Sequence, residues 1–282
     1  MFLSDFKYWF RKCLFVVILY HSWIALAALT VEPIKKNVDV IMGIGGNIGL
    51  LKSTNGIIII DNGLQRNNKQ LLQFLQKHYQ KLPQFVFNTH YHGDHLGNNA
   101  LFQSESVIIA HSNVINRLQL NKEAPAKLPN LGYQQQLRLL FGVFDLKVKH
   151  FANGHTDGDS VVYLSKSNIV HMGDLFFNER FPFIDLNGGG NVLGFVANVK
   201  EIRDSIDANT IVIPGHGAVT NLAGLNRYIA MLDASVATVR QFKQKKMTLQ
   251  QMVATGLPKQ WANWSWQFIS EERWITTLYN DL

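Results

Sequence analysis

Short apolar runs open the readable pattern of the chain. Val38–Met42, Ile48–Lys52 and Ile57–Ile60 are strand-like, separated by Gly43-Ile44-Gly45-Gly46-Asn47 and Ser53-Thr54-Asn55-Gly56. An Asn-Gly pair between apolar runs predicts a hairpin. The period then changes. Leu71, Leu72, Leu75 and Tyr79 recur at helical spacing between Asn67 and Gln80, which predicts an amphipathic helix with His78 on its polar side. After Pro83 come two further buried strands, Phe85-Val86-Phe87 and Val107–Ala110, and then a helix from about Asn113 to Leu120. Asn121–Gln136, broken by Pro125 and Pro129, reads as a loop or lid.

Strands dominate again from Phe141 to Phe177: Val143–Val148, Val161–Leu164 and Ile169–His171. Phe181-Pro182-Phe183 and Gly188-Gly189-Gly190 mark a loop. A helix over about Val192–Ile206, a strand over Thr210–Ile213 and further helices follow. Phe268–Leu282 reads as a closing amphipathic helix, and Trp261, Trp264 and Trp266 are expected to pack on the core. Strands with helices, twice over, predict an α/β fold with two similar halves packed sheet to sheet.

Composition adds further constraints. A length of 282 residues suits one large domain or two small ones. Lys7, Arg11 and Lys12 precede the apolar run Cys13–Tyr20, and Ala25-Leu26-Ala27 follows, the layout of a secretory signal peptide cleaved near Ala27 or Ala28. The domain reading is therefore a signal peptide over 1–27 and one folded domain over 28–282, with a periplasmic or secreted location. An uncleaved anchor is the competing reading, since Trp23–Leu29 extends the apolar run. Cleavage would remove Cys13, the chain's only cysteine, so disulfides contribute nothing. Losing Lys7, Arg11, Lys12 and Asp5 also lowers the formal charge by two, from +7 to +5. No Lys/Arg block is present, so nucleic acid is not an expected partner and a small-molecule substrate is.

The chemistry concentrates in Thr89-His90-Tyr91-His92-Gly93-Asp94-His95, directly after a strand. Imidazole and carboxylate are ligands for zinc and similar ions. If the strand persists, His90 and His92 share a face, and a sharp turn at Gly93 brings Asp94 and His95 to a second position. The stretch reads as half of a two-metal site. Three later residues have suitable chemistry at strand ends: His155 in Gly154–Ser160, Asp174 in Met172-Gly173-Asp174, and His216 in Pro214–Gly217. His111, His150 and His171 adjoin apolar strands outside any dense cluster, and Asp157 and Asp159 shape the His155 turn. Gly43 and Gly45 fit part of a dinucleotide fingerprint, but Ile48 replaces its last glycine, so this is a structural turn.

Asp61 after a strand, the H-x-H-x-D-H run of His90, His92, Asp94 and His95, then His155, Asp174 and His216, in this order, resemble the metallo-β-lactamase superfamily. The resemblance implies a four-layer αββα sandwich and a hydrolase with two zinc ions. His90, His92 and His155 would hold the first ion, and Asp94, His95 and His216 the second, with Asp174 bridging. Asp61 would steady the motif loop, and Asp94 would orient the nucleophile or relay its proton. His92 stands where di-iron redox relatives have glutamate. Asp174 stands where one large β-lactamase group has cysteine, and Phe177 where that group has a substrate-gripping lysine.

An ester, lactone or lactam substrate is expected. A thioesterase of the glyoxalase type, a phosphodiesterase and a non-catalytic metal-binding exported protein are the alternatives. Phe176, Phe177, Phe181 and Phe183 form either an apolar wall for the substrate or plain core.

Overall fold

The computed structural model describes residues 29–282; the signal-peptide reading lies outside the described residues. The first half contains β1 (Thr30–Lys35), β2 (Val38–Met42), β3 (Ile48–Ser53), β4 (Gly56–Ile60), α1 (Asn68–Tyr79), β5 (Phe85–Phe87), α2 (Gly93–Leu96), α3 (Asn99–Phe102), β6 (Val107–His111), α4 (Ser112–Leu120) and β7 (Leu131–Tyr133). Its seven strands form one sheet in sequence order, with β4 to β7 parallel. The second half contains β8 (Gln136–Phe141), β9 (Phe144–His150), β10 (Ser160–Leu164), β11 (Ile169–His171), α5 (Val192–Asp204), β12 (Ile211–Ile213), β13 (Thr220–Asn221), α6 (Leu222–Gln244), α7 (Leu249–Thr255) and α8 (Glu271–Asp281). Its sheet runs β13-β12-β11-β10-β9-β8.

Period-2 alternation builds the layers. Ile58 and Ile60 join Phe87 and Ile109 against Leu146, Val148, Val162 and Ile213 of the second sheet. Their neighbours Ile57 and Ile59 point the other way, onto Leu71 and Leu75 of α1. The far face of the second sheet, through Val161, Val170 and Val212, meets Phe195 of α5, Leu232 of α6 and Trp274 of α8. Strands buried on both faces read as unbroken apolar runs, which is why β4 is nearly all isoleucine. The result is the αββα sandwich that the sequence led us to expect.

Two strands fall inside the expected loop or lid at Asn121–Gln136 or border it. β7 is three residues long, and β8 alternates exposed and half-buried positions along the sheet edge. Neither carries a buried run. β1 was also unread: it is an exposed edge strand containing Pro33, which edges tolerate.

Topology brings the candidate ligands to one edge. β9, β11 and β12 point the same way, because β9 and β11 are both antiparallel to β10 and β12 is parallel to β11. His155, Asp174 and His216 follow the carboxyl ends of these strands. Asp61 and the His90–His95 run follow β4 and β5, which are parallel to each other.

Candidate metal centre

All seven predicted side chains converge. One ligand atom from each of His90, His92, His155 and Asp174 lies within 4.8 Å of the others, and Asp94, His95 and His216 form a second such group. Asp174 faces both. Its Oδ2 is 3.5 Å from His155 Nε2 and 3.8 Å from His90 Nε2, while Oδ1 is 3.0 Å from His95 Nε2 and 3.4 Å from His216 Nε2. Asp94 Oδ2 stands 3.2 Å from His216 Nε2.

The strand does not carry His90 and His92 together, since β5 ends at Phe87. Gly93 is not a sharp turn either. It opens the single helical turn α2, has open space where a Cβ would sit, and is not among the positive-φ residues. Helical geometry, rather than a glycine hinge, separates His92 from Asp94 and His95.

Outer hydrogen bonds orient four of the rings. His95 Nδ1 donates to Asp61 Oδ2 at 2.7 Å, and His155 Nδ1 donates to the Phe183 carbonyl at 2.7 Å. His92 Nε2 donates to Asp185 Oδ2 at 3.1 Å. Thr89 Oγ1 gives its proton to Asp61 and accepts from His90 Nδ1 at 3.0 Å. A neutral imidazole whose one nitrogen donates offers a lone pair on the other. Two such pairs of atoms face each other: His155 Nε2 and His92 Nδ1 meet at 2.8 Å, and His90 Nε2 faces Asp174 Oδ2 at 3.8 Å.

Lone pairs so placed repel unless a cation lies between them. His90 Nε2 and Asp174 Oδ1 are correspondingly buried with no aligned hydrogen-bond partner. Nitrogen and oxygen donors of this kind suit zinc, so the residues fit a pair of metal ions.

The protonation states follow the same field. Burial and the neighbouring imidazoles hold His90 well below the ordinary value, and burial takes His155 down to about 3. Both are neutral lone-pair donors at pH 7. Burial pushes Asp174 up, but His95 and His216 win and hold it well below the carboxylate range. Asp94 is likewise opposed by burial and ends at about 2 through His95 and His216. Burial opposes charge on His95 and His216, yet the Asp174 carboxylate overrides it, raising His95 well above the ordinary value and His216 to about 9. The two carboxylates thus hold protons on these two rings, and a bound cation would take the place of those protons.

The sequence matches the profile of the metallo-beta-lactamase superfamily over residues 42–216, well over half of the chain. The chain belongs to that superfamily. Proteins named metallo-beta-lactamase type 2 are similar to it: one from Bacillus sp. (strain 170) is 25% identical over 171 residues, and one from Bacillus cereus is 24% identical. Each alignment takes in 60% of this chain and 66% of the relative, just under two thirds of the relative's length. A metallo-beta-lactamase from Pontibacter korlensis superposes with TM-score 0.65 at 18% identity, covering 73% of this chain and 99% of that one. DIM-1 metallo-beta-lactamase gives 0.62 at 21% identity, over 73% and 97%. These superpositions support the superfamily's sandwich fold.

Asp61 has the steadying role expected of it. Fully buried, it accepts from the Thr89 amide at 2.8 Å and from the Thr89 hydroxyl at 2.8 Å, besides holding His95. Asp185 was missed. It also accepts from the Tyr91 hydroxyl, and only its place before a glycine-rich turn could have drawn attention to it. Asn47 was missed too: its side chain donates to Pro214 O at 2.9 Å and Gly217 O at 2.8 Å, tying the first glycine turn to the His216 loop. A Cβ at Gly46 would occupy the ring of His95, so the turn needs glycine for close approach.

His171 hydrogen-bonds Asn47 O at 3.1 Å, outside the ligand groups. His111 and His150 stack on each other, ring centroids 3.6 Å apart. His78 is exposed.

A cleft of about 1160 Å³ opens over the centre. The phenylalanines divide between the two readings. Phe176 and Phe181 are core, whereas Phe177 and Phe183 line the cleft, Phe177 stacked on His216 at 5.3 Å. The tryptophans divide as well: Trp261 and Trp264 are buried in the core, and Trp266 lines the cleft.

Proposed function

We propose that this protein is a dinuclear zinc hydrolase acting on a carbonyl ester, lactone or lactam. The observation that carries this reading is Asp174, whose two carboxylate oxygens face two separate ligand groups. Zinc bound there supplies Lewis acidity and makes water nucleophilic near neutral pH. His90, His92 and His155 would hold one ion, and Asp94, His95 and His216 the other.

The chain's own groups do the rest. Asp94 is a carboxylate at neutral pH with its side chain partly open to the cleft. There it accepts a hydrogen bond from the attacking water, takes its proton as the water oxygen bonds to the carbonyl carbon, and passes that proton to the departing oxygen or nitrogen as the scissile C–O or C–N bond breaks. Phe177 and Phe183 present apolar faces beside the ligands and exclude competing water. The relatives named metallo-beta-lactamase make a β-lactam one candidate substrate. The uncharged Phe177 weighs against strong binding of a β-lactam carboxylate at that position. The basic, apolar start of the sequence supports export, hence a periplasmic or secreted substrate.

Elemental analysis of the purified protein, joined to nitrocefin, lactone, p-nitrophenyl ester, thioester and phosphodiester assays, tests the reading. Two zinc ions per chain, turnover abolished by chelator and turnover restored by zinc are expected. Bound zinc without turnover on the whole panel would instead establish a non-catalytic metal-binding protein. Full metal and full turnover in His92→Ala or Asp174→Ala would overturn the site assignment.

A further inference from the structure

An arc of rings lines the cleft from one ligand group to the other. Between centroids, His216 of the second group lies 5.3 Å from Trp266, and Trp266 lies 5.7 Å from Phe268. Phe268 lies 5.5 Å from Phe183, which closes the arc 5.6 Å from His92 of the first group. The apex, Phe268, is 50% exposed.

This apex is held in place. The Trp266 amide donates to Ile269 O at 3.0 Å, so Phe268 sits at the tip of a tight turn whose next residue is buried. The turn is clamped to the loop that carries Phe183. There the Phe181 amide donates to Trp264 O at 2.9 Å, and the Trp266 indole nitrogen donates to Phe181 O at 2.9 Å. Arg273 of α8 donates to Phe268 O at 3.0 Å, with its guanidinium carbon 4.7 Å from the Phe268 ring and 5.2 Å from that of Phe183. Arg180 lies 5.0 Å over Trp266 in the same way. The turn falls beyond residues 42–216, the stretch that matches the superfamily.

Rings fixed in water forgo the burial that would stabilise them, and a contiguous apolar strip within a cleft is suited to covering an apolar ligand. An aromatic cradle also suits a cation. Here two guanidinium groups already lie against the rings, and a further positive charge beside them would be repelled. We propose that the turn at residues 266–269 is the specificity element of the cleft, and that its arc of rings binds an uncharged aliphatic chain attached to the scissile carbonyl. This rests on the hydrolase reading and specifies its substrate class.

The test uses the zinc-loaded full chain with p-nitrophenyl acetate, octanoate and 6-(trimethylammonio)hexanoate. A fully covered methylene is worth about fourfold, so partial cover should favour octanoate over acetate by about 10- to 100-fold in kcat/KM. Phe268→Ala should cut that preference about fivefold or more, chiefly through KM for octanoate, and Phe268→Leu should retain most of it. Leu140→Ala, at an exposed leucine of β8 outside the cleft, should leave the preference unchanged. No preference for octanoate, an undiminished preference in Phe268→Ala, or a preference for the cationic ester over octanoate would overturn the assignment.

If no ester is turned over, the esterase reading fails and the arc is read by binding alone. Calorimetry should then show octanamide binding about 10-fold or more tightly than acetamide, a difference that Phe268→Ala largely erases. Equal binding of the two amides by the unsubstituted chain would overturn the arc.

Discussion

The Asp185 carboxylate accepts a hydrogen bond from His92 Nε2 at 3.1 Å, across a sequence separation of 93 residues. The same segment supplies the Phe183 carbonyl to His155. One loop therefore sets the ring orientation of two of the three histidines in the first ligand group. It is braced in turn by Arg117, which grips Asp157 while the Asp157 amide donates to Gly188 O at 3.0 Å.

Asp185→Ala should weaken zinc binding by about 10- to 100-fold, the usual cost of losing an outer partner of a ligating histidine. Asp185→Asn, which can still accept at its amide oxygen, should lose less. Competition against a chromophoric chelator measures both. Unchanged affinity in Asp185→Ala would show that His92 needs no such support.

Gly46→Ala puts a methyl group where the His95 ring now lies. The ring must move away from Asp61 and Asp174, so the second ligand group suffers first. Zinc content after dialysis should fall from two ions towards one per chain, with a stability loss of about 1–3 kcal/mol from overpacking. Retention of both ions would mean that the turn, rather than the ring, had yielded.

The stacked pair His111 and His150 supplies a pH dependence away from the metal centre. Burial and the adjacent His150 take His111 down to about 4 from an ordinary 6.5, and burial lowers His150 as well. The unfolded chain thus binds more protons than the folded chain between those values. Stability contributed by the neutral pair is present above pH 6.5 and falls as pH drops towards 4. His111→Asn retains an acceptor for the Asn113 amide at the start of α4, where His111 Nδ1 now serves. Melting of the metal-free variant should be less sensitive to a shift from pH 7.5 to pH 5 than melting of the metal-free parent chain. Parallel curves would remove the pair from the account.

The cluster of imidazoles and carboxylates and the layered fold were legible because each rests on a local signal. His90 to His95 crowd one stretch, and His155, Asp174 and His216 each sit in a polar, glycine-flanked turn at a strand end. The long apolar runs of β4 and β6 announce strands covered on both faces. What escaped depends on pairing between distant segments. Asp185 has no partner until the sandwich closes, and Asn47 looks like any residue of a glycine turn until Pro214 and Gly217 arrive beside it. Trp266 and Phe177 looked the same in the sequence as the core aromatics beside them, since an aromatic residue carries no local mark of whether it faces core or cleft. Edge strands β1, β7 and β8 lack the buried runs that identify central strands.

Asp174 and the two ligand groups also impose an order of events. His95 and His216 stand 3.4 Å apart at their Nε2 atoms but 121 positions apart in the chain. Four of the seven ligands leave the ribosome early, as a cluster with imidazole lone pairs and no bridging carboxylate. The other three follow one at a time, the last with the strand that completes the parallel part of the second sheet. A growing chain therefore has no finished centre to offer, and a metal held by all seven groups would clasp the late half of the protein to the early one.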